Sequence, residues 1–276
     1  MSKSISSISG AEAIQLVGLA DRYTGVMLEP VRHNFLEARL APVLSQFSFE
    51  SFGQLIKSLE GEGNGPLKNI FIDAITTHET YFFRDFAVFA LLKSQLIPDF
   101  VNSDRSSVLR ICSAACSTGQ EPYSICMVVD ELAPLLEGHR VQVDGYDISR
   151  ASIEAARSAD YSNYEVNRGL SSAYIKRYFD KVDQRYRVID RLRSMVNFKE
   201  LNLLDDLGVM PTYDIVFCRN IANYFKVSDR VRLFRQLATV IAKGGILITG
   251  GSEIVPQNVN EFKPIHGDGC VYYEKL

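Results

Sequence analysis

Five short groups of polar residues lie against apolar runs, and these are the residues that could do chemistry. The first is the run Ile111-Cys-Ser-Ala-Ala-Cys-Ser-Thr-Gly-Gln-Glu-Pro-Tyr-Ser124. Its small side chains let a backbone approach a ligand closely, and Gly119 can take a positive φ. A diphosphate loop would want Gly-x-Gly-x-x-Gly or Gly-Lys-Ser/Thr, and neither is present. In their place stands Glu121, which repels phosphate and attracts an ammonium group. The expected ligand is an aminoacyl-bearing nucleotide such as S-adenosylmethionine. Asp147 ends a second apolar run, where an acid can bond both ribose hydroxyls. It could equally cap a helix starting near Ser149, but beside the Glu121 loop the ligand reading is preferred. Asn202 and Leu203 follow a third run and could reach the adenine edge, or simply form a turn. Arg219, Asn220 and Tyr224 follow a fourth, where an Arg is costly unless paired. They are expected on the acceptor side. Thr80 and Arg84 flank the aromatic trio Tyr81, Phe82 and Phe83. Read as helix, they are one turn apart on a face lining a site at a domain junction.

Strands and helices must position these groups. Val108–Cys112, Val141–Tyr146, Met195–Lys199, Ile215–Cys218 and Ile246–Thr249 read as buried strands. Helical spacing separates several of them, at Tyr123–Leu132, Ser149–Ala159 and Ser228–Ala242. Alternation of this kind predicts an α/β, doubly wound, mostly parallel sheet of the Rossmann type. Gly267-Asp-Gly-Cys270 joins two C-terminal strand patterns into an antiparallel hairpin. A parallel sheet closed this way is the usual shape of an S-adenosylmethionine-dependent methyltransferase. The N-terminal part differs. Ile14, Val17, Leu28, Val31, Phe35, Leu36, Leu40 and Leu44 recur at helical spacing, with breaks at Gly25 and Pro30. Further helices are expected at Ser51–Leu59 and Leu67–Ile75, around a Gly61–Pro66 loop. The predicted division is 1–75 as an N-terminal all-helical domain, 76–98 as a linker helix contributing to the site, and 99–276 as the cofactor-binding domain. A small β-subdomain is expected as an insertion at about 170–192, where Arg185–Asp190 alternates like a strand.

Composition narrows the classes. A net charge of −3 gives no general case for nucleic acid or an anionic membrane. The apolar runs are too short to span a bilayer, and the first ten residues lack a signal-peptide core. The cysteines Cys112, Cys116, Cys126, Cys218 and Cys270 are odd in number and form no Cys-x-x-Cys pair, which suits reduced thiols in a cytoplasmic protein. Cys116 has no His placed to activate it. His33, His139 and His266 have no ligand-spaced partners, so no metal site is expected.

Taken together, Ser113-Ala-Ala-Cys-Ser-Thr-Gly-Gln-Glu-Pro-Tyr-Ser124, Thr80-Tyr-Phe-Phe-Arg84 and Phe217-Cys-Arg-Asn220 with Tyr224-Phe225 resemble the bacterial chemotaxis receptor methyltransferase family, CheR. The resemblance runs from about Gly25 to the C-terminus. It implies methyl transfer from S-adenosylmethionine to glutamate side chains on the cytoplasmic methylation helices of chemoreceptors, in chemosensory adaptation. It implies Glu121 at the methionine ammonium, Asp147 at the ribose, and Asn202 and Leu203 at the adenine. His78, Thr80, Arg84 and Asn220 would complete the cofactor site, with Arg84 and Tyr224 as the catalytic pair orienting the acceptor carboxylate. Gly25 to Leu44 would match receptor-docking helices, with Arg32 and Arg39 as contacts to acidic helices.

The sequence departs from the family in places. His78 stands where Asn is usual, Ala222 and Asn223 where apolar residues are usual, and Gly250-Gly-Ser-Glu253 where Gly-His-Ser-Glu is usual. The segment Phe179-Asp-Lys-Val-Asp-Gln-Arg-Tyr186 lacks the glycines of a loop that grips a receptor's C-terminal pentapeptide tether, so a tether-independent member is expected. Two alternatives stay open: a carboxyl methyltransferase for another acceptor, and a non-catalytic regulator that senses S-adenosylmethionine.

Overall fold

The computed structural model describes residues 7–29, 31–61, 65–103, 107–267 and 269–276. Most of the first ten residues, the expected break at Pro30, the centre of the Gly61–Pro66 loop and the Asp268 position of the hairpin turn lie outside the described residues. Four helices come first: α1 Gly10–Thr24, α2 His33–Gln46, α3 Phe52–Gly61 and α4 Pro66–Ile75. Ser9 and Glu12 form a reciprocal capping box at the start of α1, and Gly25 ends it at φ 72. Leu16, Leu36, Leu40, Leu44, Leu55 and Phe71 meet in one apolar core that these helices share. Ile14 and Val31, expected on that apolar stripe, are exposed. The buried face of α1 is instead set by Ala13, Leu16, Leu19 and Ala20, and Val31 precedes α2.

The 76–98 linker is helical only from Phe86 onward. Residues 77–81 are irregular, and 82–85 form a turn before α5 Phe86–Leu91. Phe83 and Asp85 hold positive φ values of 52 and 60, which no helix accommodates. Thr80 and Arg84 therefore share no helical face. A single π-helical stretch, Leu92–Leu96, joins α5 to α6 Ile97–Val101.

The remaining elements follow in order: β1 Val108–Ala114, α7 Gln120–Glu131, β2 Arg140–Asp147, α8 Arg150–Ser158, β3 Asp160–Ser162, α9 Asn163–Asn167, α10 Ser172–Tyr178, β4 Phe179–Val182, β5 Arg185–Val188, α11 Asp190–Arg193, β6 Val196–Glu200, β7 Tyr213–Cys218, α12 Val227–Val240, β8 Ile241–Thr249, β9 Phe262–Gly267 and β10 Cys270–Lys275. The main sheet has the order β6-β2-β1-β7-β8-β10-β9. All neighbours are parallel except β10, which runs antiparallel to both β8 and β9. The doubly wound sheet with its antiparallel C-terminal hairpin is thus present. Side chains alternate across it, so Leu109 and Ile111 join one core layer while Cys112 and Ala114 join the other. A second, three-stranded sheet, β3-β5-β4, carries the expected small β-subdomain. It draws its third strand from Asp160–Ser162, upstream of residue 170. Buried Asp130 accepts hydrogen bonds from Arg177, Arg191 and Tyr178, which fastens that subdomain to α7. Among the described residues no helix is long and apolar enough to cross a membrane.

Strand order in the main sheet reverses at β1: parallel β2 lies on one side and parallel β7 on the other. In open α/β sheets the crevice outside the carboxyl ends of strands at such a point is where ligands bind.

Candidate active site

A cavity of about 320 Å³ opens at that point, within the size range of small-ligand pockets. It is walled by the loops after β1, β2 and β7, by the 76–84 segment, and by the connection between α1 and α2. Glu121, Asp147, Asn202, Leu203, Asn220, Tyr224, His78, Thr80 and Arg84 all line it. One cavity therefore gathers every residue singled out from the sequence for the site.

Its wall beside β1 is a strained loop. Ala115, Ser117 and Gly119 all have positive φ, at 63, 49 and 96. A Cβ on Gly119 would sit 2.9 Å from Ala156 Cβ and 3.0 Å from Tyr161 Oη, so only glycine fits there. Asp147 fixes this loop: its two carboxylate oxygens accept the Ser117 N–H at 2.8 Å and the Ser149 N–H at 2.9 Å. The N-cap of α8 is Ser149 itself, whose hydroxyl accepts from the Ser152 N–H. Burial pushes the Asp147 carboxyl above its ordinary range, while those two N–H groups pull the other way. The Cys116 thiol is pushed far up by burial and stays protonated, which leaves it a small neutral side chain.

Glu121 accepts from Ser113 Oγ at 2.7 Å and from Arg219 Nη1 at 2.7 Å. Two carboxylate oxygens offer about four acceptor sites, so capacity remains for a ligand ammonium. Arg219 is the buried arginine that the sequence required to be paired. Its side chain is 2% exposed, and it also reaches the Asp85 carboxylate at 2.5 Å and the Arg84 carbonyl at 2.8 Å. One guanidinium thus ties the Glu121 helix to the turn at 82–85.

Beyond β7, Asn220 adopts φ 59, and Ala222–Tyr224 makes one 3₁₀ turn that presents Tyr224, 40% exposed. Arg84 donates from Nη1 to the Glu79 carbonyl at 2.7 Å. This spends one of its five N–H groups. The N-terminal helices close the wall. The Met27 N–H donates to the Tyr224 carbonyl at 2.8 Å, and Val26 pairs with Phe225 as an antiparallel bridge. Asn202 Nδ2 donates to the Tyr23 carbonyl at 3.1 Å, and its Oδ1 accepts from the Leu204 N–H.

His78 has another task beside lining the cavity. Its Nε2 lies 3.0 Å from the Asp73 carbonyl and 3.2 Å from Thr76 Oγ1, and its Nδ1 lies 3.0 Å from Ser152 Oγ. Both ring nitrogens thus bolt α4 to α8, and only its carbonyl, which accepts from Ser117 Oγ, touches the loop. Glu253, Asp85 and Ser113 escaped the sequence reading as functional groups. Glu253 offered a signal, an acid four residues beyond the end of a buried strand and just after Gly250-Gly-Ser.

The donor set fits S-adenosylmethionine. A carboxylate stands ready for the ammonium and an acid ends β2 for the ribose. Leu203 offers an apolar contact, and the β1 loop is too crowded for a side chain at Gly119. Residues 78–271 match the CheR methyltransferase, SAM binding domain. The chain is 33% identical to chemotaxis protein methyltransferase Cher2 of Pseudomonas putida, over 92% of this chain and 94% of that protein. It is 33% identical to chemotaxis protein methyltransferase 1 of Pseudomonas aeruginosa, with the same coverage. The chemotaxis protein methyltransferase of Vibrio parahaemolyticus is 31% identical over 97% of this chain and 98% of its own length. The cavity opens between this matched domain, at the ends of β1, β2 and β7, and the connection between α1 and α2, and the chain belongs to the CheR methyltransferase family.

Proposed function

We propose that this protein methylates glutamate side chains on the cytoplasmic helices of chemoreceptors, giving methyl esters that adapt a chemosensory pathway. The observation that carries the reading is the sharing of one cavity by two sets of groups. Glu121 and Asp147 suit the cofactor, while Arg84 and Tyr224 suit a carboxylate. The similarity to proteins named as chemotaxis protein methyltransferases supports the pathway. A cytoplasmic location follows from the acceptor.

S-adenosylmethionine supplies a methyl group already activated on a sulfonium. A glutamate carboxylate is ionised at neutral pH and already nucleophilic, so no general base is required. The chain's task is to align the acceptor and strip its water. Arg84 holds the acceptor carboxylate with N–H groups not spent on Glu79. Tyr224 adds one directional hydrogen bond. The acceptor loses its charge as the ester forms, so an overly tight ion pair would favour the ground state. Retention of Arg219 on Glu121 and Asp85 suits this balance, because that strong cation is kept off the acceptor.

The small subdomain does not use a receptor tether in this reading. The β4–β5 connection is a two-residue turn at Asp183 and Gln184, with no glycine. Measurable affinity for an isolated receptor-tail pentapeptide would refute that part.

The test of the whole reading uses methyl-labelled S-adenosylmethionine, the purified protein and a receptor cytoplasmic fragment. Alkali-labile label released as methanol is the expected result. Cofactor binding with no ester formed on any receptor fragment would overturn it in favour of another acceptor or a sensor.

A further inference from the structure

Glu253 has no place among the cofactor or acceptor contacts, and it does not line the cavity. It is nonetheless a carboxylate 4% exposed, in the loop that follows β8. Its Oε2 accepts the N–H of Asn220 at 2.6 Å and of Gly250 at 2.8 Å, and its Oε1 accepts the N–H of Ala222 at 2.7 Å. All three donors are backbone groups, so the carboxylate shapes chain rather than side chains. Two of them bracket the segment that turns from β7 into the Tyr224 turn. Asn220 there sits at φ 59, a left-handed conformation that persists only where the surroundings hold it.

The loop after β8 is built to deliver this carboxylate. Thr249 Oγ1 donates to the Glu253 carbonyl at 3.0 Å, and Asn223 Nδ2 donates to Ser252 Oγ at 3.2 Å. A Cβ on Gly250 would lie 2.7 Å from Glu253 Oε2 and 3.0 Å from the Asn220 nitrogen. Glycine at 250 is what lets the carboxylate reach both N–H groups.

We infer that Glu253 is a positioning residue for methyl transfer: it clamps the 220–224 turn from behind and so sets where Tyr224 meets the acceptor. This rests on the acceptor role proposed for Tyr224. Among the described residues no other acid bonds this turn: its further ties to the rest of the chain include Asn223 Nδ2 at Ser252 Oγ and the Met27 N–H at the Tyr224 carbonyl. Glutamine cannot replace Glu253. Whichever way its amide turns, its NH₂ faces at least one N–H donor.

The test is a double-mutant cycle on kcat with a receptor fragment as acceptor. Glu253→Gln is expected to lower kcat about tenfold in the native protein and by no more than about twofold in a Tyr224→Phe background. Equal losses in both backgrounds would mean a merely structural role and would overturn the inference. Gly250→Ala presses on the same carboxylate from the other side and should show the same background dependence, so the test survives if Glu253→Gln folds poorly. A second readout needs no acceptor. With 3-fluorotyrosine in place of Tyr224, the single fluorine resonance should broaden or split in both variants. Unchanged spectra overturn the inference. A native protein that methylates no receptor fragment removes the acceptor assignment instead, and the fluorine spectra then decide the positioning role alone.

Discussion

Arg219 and Glu121 form a 2.7 Å ion pair that joins the end of β7 to the first turn of α7, with the guanidinium almost wholly out of water. The two residues are 98 positions apart in sequence, and their pairing closes the floor of the cavity. Removing one partner of a buried pair leaves the other charge uncompensated, which costs about 3–5 kcal/mol. Arg219→Ala should lose stability on that scale in urea denaturation and weaken S-adenosylmethionine binding as well. Arg219→Lys should recover little, since a point ammonium cannot span Glu121, Asp85 and the Arg84 carbonyl together. A fully stable Arg219→Ala protein would contradict the role given to this pair.

Tyr224→Phe removes one hydroxyl from a half-exposed position. A hydrogen bond to a charged group is worth about 1.5–3 kcal/mol, or roughly 10–100-fold in rate. Turnover should fall by that factor, while cofactor affinity stays within about twofold, because the loss is on the acceptor side. Calorimetric titration beside a methanol-release assay separates the two. A cofactor affinity that collapses with turnover would move Tyr224 to the other half of the site.

Asp147→Asn tests burial against charge. The Asp147 carboxyl is raised in the folded protein by burial, so its stabilising contribution is fully present below the ordinary aspartate range. That contribution is lost as pH rises through the folded value. Asparagine does not titrate. The stability of the native protein relative to Asp147→Asn should therefore be greatest in acid and decline towards neutral pH. Denaturation of both cofactor-free proteins across that window checks the sign, and a difference that grows with pH would contradict it.

Gly169→Ala should damage the fold behind the segment that walls the cavity. Gly169 sits at φ 103, and a Cβ there would collide with the Phe82 carbonyl oxygen. Backbone atoms cannot move aside as a flexible side chain can. A loss of at least about 2 kcal/mol is expected, with loosening of the 77–85 segment, readable by hydrogen exchange.

Much of this was legible in the chain because buried strands announce themselves. Ile215–Cys218 is an unbroken apolar run and Val108–Cys112 is interrupted only by Arg110, and each is followed closely by its functional loop. Gly25 marked the end of α1 because only a residue tolerant of positive φ closes a helix in that way. The segment at 76–85 misled because Tyr81, Phe82 and Phe83 have the spacing of a packed helix. Tertiary bonds override that local pattern: the Phe83 N–H donates to Ser124 Oγ, and Arg219 holds the Arg84 carbonyl. Arg219 was readable as needing a partner, yet nothing in sequence says which acid answers it. Glu253 was harder still, since its partners are backbone N–H groups, which every residue but proline carries.

The main-chain pairing of Met27 with Tyr224, and of Val26 with Phe225, has a consequence for how such chains can be recombined. The N-terminal helices are not an interchangeable cassette. An exchange of residues 1–75 for those of a relative would have to bring along a matching edge for 224–226. Lys226 pairs with Asp21, and Leu204 packs where any side chain on Gly25 would stand. Specificity grafted by swapping the helical end alone would therefore arrive with a misfitted seam at the tyrosine it was meant to serve.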